Sequence, residues 1–248
     1  MIASYTQTYG NQRSEIFNYK DYDIIDIKFR NKFDINLYCF HNSERKYIDE
    51  IKQHSYFKDV EWTFRELNDV PYTISAKNNL LFLKKMGVKR VYLAQDDVFS
   101  VKNLTDDEIM NLYNLIATHP SNVICLEEGA VTFKNKGIST KEKYYNGTAV
   151  HHVNTKDWVS IGNWAFDDRP TIYDIDFLID VIYGDEYFNH GSIFSGEHIL
   201  NNKFKNITIE RCVLDEELFR RVNIVGPNQN RLIEIAWLNK KFNLQREL

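Results

Sequence analysis

Residues 90–99, Arg-Val-Tyr-Leu-Ala-Gln-Asp-Asp-Val-Phe, constrain the fold more than any other stretch of the chain. Val91, Tyr92, Leu93 and Ala94 are apolar and strand-compatible, so they predict a buried β-strand. That strand ends abruptly in two adjacent carboxylates, Asp96 and Asp97. In an open α/β sheet, ligands sit just beyond the carboxyl ends of the strands. Two carboxylates at one strand end repel each other unless a cation relieves them. A hard divalent ion is a common solution, because Mg²⁺ and Mn²⁺ take oxygen ligands, often one or two carboxylates plus phosphate oxygens of a substrate. The plainer alternative is an acidic turn after a strand.

The elements around this run alternate. Residues 2–6 predict a short strand, followed by a polar loop over 7–12 and a helix over about 13–19. A second strand is expected over 35–40. Ser43 is placed to cap a helix carrying Tyr47, Ile48 and Ile51. Residues 60–67 alternate as a third strand. Ala76, Leu80 and Leu83 follow helical spacing in a helix over 75–87, with Gly87 as its C-cap. Thr105-Asp106-Asp107-Glu108 opens another helix with an N-cap and acids in its first turn, and 123–126 is a further strand. This β-α-β-α order predicts a mostly parallel sheet with right-handed crossovers.

After Gly129 the texture is less regular. Strands are expected at 130–133 and 149–153, and a helix at 175–182, separated by glycine- and lysine-containing loops. The 248 residues are therefore read as one α/β domain. Residues 1–128 form its regular half and 129–248 its irregular half.

A formal net charge of -4 gives no drive toward nucleic acid or an anionic membrane. Cys39, Cys125 and Cys212 lack metal-ligand spacing and are read as reduced core residues. The first residues carry no basic n-region and no run approaches a membrane span, so a cytoplasmic location is expected, in a cell or a virus-infected host, with peripheral membrane attachment left open. The Asn-x-Ser/Thr matches at Asn103, Asn146 and Asn206 are read as chance.

The series Ala76-Lys77-Asn78-Asn79, helix, Gly87, strand, Asp96-Asp97 resembles nucleotide-sugar glycosyltransferases of the GT-A fold, and is most similar to the family 2 type. There, an Ala-Arg-Asn-x-Gly helix precedes a Gly and a strand ending in a variant of Asp-x-Asp. This chain departs by having Lys77 for the Arg, Asn79-Leu80 for the small residue and Gly, and Ala94 or Gln95 where the first acid would stand. The resemblance is clearest over residues 1–104. It implies a GT-A-like, mostly parallel central sheet flanked by helices, with residues 1–128 binding the nucleotide-sugar and 129–248 shaping the acceptor site. It also implies Mn²⁺ or Mg²⁺ held by Asp97, with Asp96 on the ribose or on a metal-bound water. Ser195-Gly196-Glu197-His198-Ile199-Leu200 resembles the Gly-Glu-Asp-x-x-Leu segment of inverting members, which makes Glu197 the catalytic base.

The remaining candidates each carry a structural alternative. Thr6 is expected to hydrogen-bond base or ribose, Tyr9 to stack, and Arg13 to meet a phosphate; the alternative is a solvated loop. Lys77 and Asn78 are expected on the diphosphate, against an ordinary solvated helix face. An acid at a helix start is ionised and can accept a proton, yet Glu197 also reads as a simple cap. His198 is an acceptor contact or a surface residue. Trp164 offers a platform for a sugar C–H face, and Asp168 a hydroxyl ligand or reserve base, against a buried Trp beside a turn.

The resulting expectation is a metal-dependent glycosyltransferase. It would move a sugar from a nucleotide-diphosphate donor to a hydroxyl of a glycan or glycoconjugate with inversion, a retaining outcome staying open. Two alternatives remain. A sugar-phosphate nucleotidylyltransferase would begin with a Gly-rich phosphate loop, whereas residues 4–13 hold only Gly10. A non-catalytic carbohydrate- or nucleotide-binding protein would keep the fold with a degraded site.

Overall fold

The computed structural model describes residues 1–9, 14–68, 72–126, 140–145, 148–154, 170–184, 208–213, 217–222, 224 and 231–244. In chain order these form β1 (Ile2–Tyr9), α1 (Ser14–Lys20), α2 (Ile24–Arg30), β2 (Ile35–His41), α3 (Arg45–Ile51) and a 3₁₀ turn (Ser55–Phe57). Next come β3 (Thr63–Leu67), α4 (Tyr72–Lys85), β4 (Arg90–Gln95), β5 (Val98–Ser100), α5 (Asp106–Thr118) and β6 (Val123–Cys125). The remainder comprises β7 (Thr140–Tyr145), β8 (Thr148–Asn154), β9 (Thr171–Asp174), a π-helix (Phe177–Ile182), β10 (Thr208–Val213), β11 (Phe219–Arg221) and α6 (Arg231–Lys241).

One sheet of nine strands has the order β3-β2-β1-β4-β9-β6-β10-β8-β7. β3, β2, β1 and β4 are mutually parallel. β9 runs antiparallel between β4 and β6, and β8 runs antiparallel between β10 and β7, so the other strands share one direction. The fold is thus a mostly parallel α/β sheet flanked by helices, in GT-A-like form.

The period-2 alternation of the central strands splits the core between two faces. Ala3 and Tyr5 of β1, Leu37 and Cys39 of β2, and Val91 and Leu93 of β4 meet Leu80 and Leu83 of α4 and the π-helix residues Leu178 and Ile179. Tyr92 and Ala94 of β4 turn to the other face, against Phe29 of α2 and Ile109, Leu112 and Ile116 of α5. Beside them, Tyr38 and Phe40 of β2 pack on Phe17, Ile27, Ile48 and Tyr56.

Several boundaries differ from expectation for identifiable reasons. β1 does not yield to a loop at residue 7. Its ladder with β2 continues to Tyr9↔His41, and the polar side chains Gln7 and Thr8 find hydrogen-bonding atoms on either face. α2 was not anticipated, because charged Asp26 and Arg30 interrupt its apolar stripe; both are nonetheless buried. Asp23 caps this helix, accepting from the Asp26 amide at 3.2 Å. Ser43 does not cap α3: its hydroxyl donates to the His41 carbonyl at 3.3 Å, and Glu44 stands at the N-cap with its carboxylate on Lys46 at 3.1 Å and no side-chain capping bond. β3 starts at Thr63, and Val60 before it packs into the core instead.

Other expectations hold. Gly87 has φ of 88° and ends α4, with its amide on Lys84 O at 2.9 Å and that of Val88 on Leu83 O at 3.1 Å. Thr105 and Glu108 form the capping box of α5. The strand expected at 149–153 is β8, whereas the one expected at 130–133 lies outside the described residues. Within the helix expected at 175–182, residues 177–182 are wound as a π-helix. Among the described residues, no helix is long and apolar enough to cross a membrane.

Candidate functional site

The register of β1 on β4 assembles the site. Thr6 pairs with Ala94 and Gln7 with Gln95, so Thr8 stands level with Asp96. The Thr8 hydroxyl donates to Asp96 Oδ2 at 2.5 Å. Asp96 and Asp97 form the link from β4 into β5, at the carboxyl ends of the parallel strands. They are only 2% and 1% exposed.

Asp97 is held from far along the chain. β11 pairs antiparallel with β5, setting Arg221 opposite Val98. Arg221 Nε then lies 3.2 Å from Asp97 Oδ2, and the Val222 amide donates to the Asp97 carbonyl at 2.8 Å. A guanidinium thereby supplies part of the positive charge that two neighbouring carboxylates require. Its side chain is 29% exposed, so the pair borders solvent on the arginine side.

A buried ionic cluster braces β5 from below. Lys20 Nζ donates to the Val98 carbonyl and lies 3.0 Å from Asp26 Oδ2. Arg30 donates through Nε to Asp26 at 3.1 Å and through Nη1 to the Thr6 hydroxyl at 3.0 Å. The Tyr56 hydroxyl adds a 2.7 Å bond to Asp26. Burial alone would raise the Asp26 carboxyl, but Arg30 and Lys20 override it and hold it at about 2. Asp23 receives the Ser100 amide at 2.9 Å and its hydroxyl at 2.5 Å, yet burial pushes this carboxyl upward against the pull of Lys20. The cluster therefore ties both ends of β5, Val98 and Ser100, to α1 and α2.

On the other face of β1, a relay runs from α4. Asn79 Nδ2 donates to the Tyr5 hydroxyl at 3.1 Å, which donates to Gln7 Oε1 at 2.6 Å. Lys77 is half-buried and Asn78 exposed on the same helix, while Asn79 is fully buried.

Of the predicted site residues, the structure brings Asp96 and Asp97 together at the strand end. It commits Thr6 to Arg30 beneath the sheet, at 1% exposure. Tyr9 closes β1 opposite His41. Arg13, Trp164, Asp168, Glu197 and His198 lie outside the described residues. Gln7 and Thr8 fall in the candidate loop after the first strand but were given no role there, and Arg221 was not singled out in the sequence. Strand parity would have found the first two once β1 was extended to Tyr9. Arg221 carries no local signal, because only the β11–β5 ladder brings it to Asp97.

No family model and no curated protein sequence matches this chain. Solved structures of similar fold do exist. Staphylococcus aureus TarS residues 1–349 in complex with UDP-GlcNAc superposes with a TM-score of 0.52 at 13% identity, covering 100% of this chain and 67% of that one. UDP-glucose pyrophosphorylase complexed with UDP-glucose gives 0.50 at 9% identity, covering 99% and 100%. A putative glucose-1-phosphate thymidylyltransferase from Bacillus anthracis gives 0.50 at 8% identity, covering 100% and 97%. The chain spans 40% of the longer TarS chain and 66% of the 1–349 fragment in its UDP complex. At these identities the likeness is one of fold.

Proposed function

We propose that this protein is a glycosyltransferase that takes a sugar from a nucleotide-diphosphate donor and passes it to a hydroxyl of a carbohydrate or glycoconjugate. The observation carrying this reading is the Asp96-Asp97 turn at the carboxyl ends of β1 and β4, braced by Thr8 and Arg221 within a GT-A-like sheet. The same crevice is where open α/β sheets bind nucleotides.

The donor set suits Mn²⁺ or Mg²⁺. Asp96 and Asp97 offer hard carboxylate oxygens, and Arg221 engages Asp97 through Oδ2. Such an ion needs only one or two carboxylates when substrate phosphates and water complete its shell. Asp97 would hold it, with Asp96 beside it. When bound, the ion stabilises negative charge on the leaving diphosphate.

The chain's own residues do the rest. Arg221 adds a fixed positive charge beside the turn, and Lys77 adds a second from α4. Thr8 fixes Asp96, so the turn is preorganised before donor arrives. Glu197 is the proposed base for the acceptor hydroxyl, with Asp168 in reserve; Trp164 and His198 are proposed to meet the acceptor, and Tyr9, Arg13 and Asn78 the donor.

The test is donor turnover. The purified protein is incubated with UDP-, GDP- and dTDP-sugars and glycan acceptors, with Mn²⁺ or with EDTA, and nucleotide release and glycan product are measured. Asp97→Asn keeps the side-chain shape but removes the charge, and is expected to lower turnover by about 10²-fold or more. Pyrophosphate-dependent consumption of the nucleotide-sugar without glycan product would instead identify a nucleotidylyltransferase. Unchanged turnover in Asp97→Asn would remove the strand-end turn from the chemistry.

A further inference from the structure

Gln7 of β1 holds an unspent hydrogen-bonding group. It is 6% exposed, and its Nε2 has no hydrogen-bond partner among the described residues. Buried amide donors are almost always paired, because an orphaned one has given up its water without a replacement. A native chain keeps such a group where something else completes it.

The orientation of the amide is set by its neighbours. Tyr5 lies two residues earlier on the same face of β1, and its hydroxyl donates to Gln7 Oε1 at 2.6 Å. That hydroxyl is itself taken up by Asn79 Nδ2 of α4 at 3.1 Å. With Oε1 turned back to Tyr5, the Nε2 protons face away from it. Gln7 stands near the carboxyl end of β1, flanked by Cys39 of β2 and Gln95 of β4. A neutral, nearly dry amide is a poor partner for a diphosphate, which the cationic side chains Arg221 and Lys77 match better. It is well matched to a neutral carbonyl presented edge-on.

We propose that Gln7 reads the nucleotide base, donating from Nε2 to a ring carbonyl oxygen and so selecting a keto base over one carrying an exocyclic amine at that position. This rests on the function proposed above and adds the base class. Asn79 and Tyr5 are positioning residues, which hold the amide so that a donor rather than an acceptor faces the ligand. An amine in place of the carbonyl sets donor against donor and leaves both buried and unpaired, a situation that polar sites reject strongly.

The experiment compares two pairs of nucleotides matched in size, UDP with CDP and GDP with ADP, by titration calorimetry in Mn²⁺. The wild-type protein is expected to favour the keto member of the pair it binds by about tenfold or more. Gln7→Met removes the donor at similar volume and is expected to bring that ratio to within about twofold. Tyr5→Phe keeps Gln7 but releases its amide, and is expected to shrink the ratio too; it carries the test if Gln7→Met fails to fold. A preference that survives both variants, no preference in the wild type, or preference for the amine member overturns this inference alone. A wild-type protein that binds none of the four overturns it together with the proposed function.

Discussion

At the scale of single residues, Thr8 decides how Asp96 stands. Its hydroxyl is 2.5 Å from a carboxylate that is 2% exposed, and Thr8 itself is fully buried. Thr8→Val conserves shape but deletes the donor. It should cost about 1–3 kcal/mol, measured by urea denaturation, because a buried charged acceptor loses a partner. Thr8→Ser keeps the hydroxyl and should recover most of that loss. Equal costs for Val and Ser would mean that packing rather than the hydrogen bond governs the position. The acid pair itself was legible in the sequence, since an apolar strand ending in Asp96-Asp97 can present them in only one kind of place. Thr8 was hidden by one boundary error: a loop assigned from residue 7 dissolves the alternation that sends Thr6 to Arg30 and Thr8 to Asp96. Arg221 was not legible at all, because nothing near it in sequence says that β11 will pair with β5.

At the scale of elements, α2 shows why a short apolar-stripe reading fails. Its buried side includes Asp26 and Arg30 as well as Ile27 and Phe29, so its helical period is masked by charge. The charges are tolerated because each is matched: Arg30 and Lys20 on Asp26, with Lys20 also over the Phe99 ring at 4.7 Å and Arg30 over Trp62 at 5.2 Å. Asp26→Asn strands two buried cations and should cost about 3–5 kcal/mol. Asp23→Asn should cost less, because burial already disfavours the charged form of Asp23 and the amide oxygen can still accept from Ser100. The two acids also pull in opposite directions with pH. Asp26 titrates at about 2 when folded against 3.8 otherwise, so its contribution is complete above 3.8 and is lost as pH falls toward 2. Asp23 is raised, so its contribution is present below 3.8 and is lost as pH rises through its folded value. Denaturant titrations at about pH 3 and about pH 6 should show Asp23→Asn steepening the acid loss of stability relative to wild type. A parallel shift at both pH values would show that the Asp23 carboxyl titrates alike in the folded and unfolded chain, so that burial does not raise it.

At the scale of the whole molecule, the two halves of the chain share one sheet and one site. β9 inserts between β4 and β6, so a strand from the second half completes the sheet of the first. The return of the chain at 217–222 matters more for the site. It pairs β11 to β5, places Arg221 on Asp97, and stacks Phe219 on Phe29 at 5.1 Å. From its last residue onward, Val222, Ile224, Ile235 and Leu238 pack against Ile16, Tyr19 and Phe99. With Phe219, that is five buried apolar side chains contributed to the first half by the last stretch of chain. At about 1.5–3 kcal/mol each, they stabilise by roughly 7–15 kcal/mol, as much as a whole domain has in reserve. A chain ending at residue 216 should therefore lose its cooperative thermal transition, followed by circular dichroism, and bind apolar dyes. Nucleotide binding should vanish with it, since the Asp97 carboxylate would lose its guanidinium and β5 its only described partner strand. The single substitution Arg221→Met separates the two effects: it keeps the ladder and the aliphatic packing, so melting should stay cooperative while nucleotide affinity falls. If the shortened chain still melts cooperatively and binds nucleotide, residues 1–216 hold a sufficient core, and the return of the chain does not build the site.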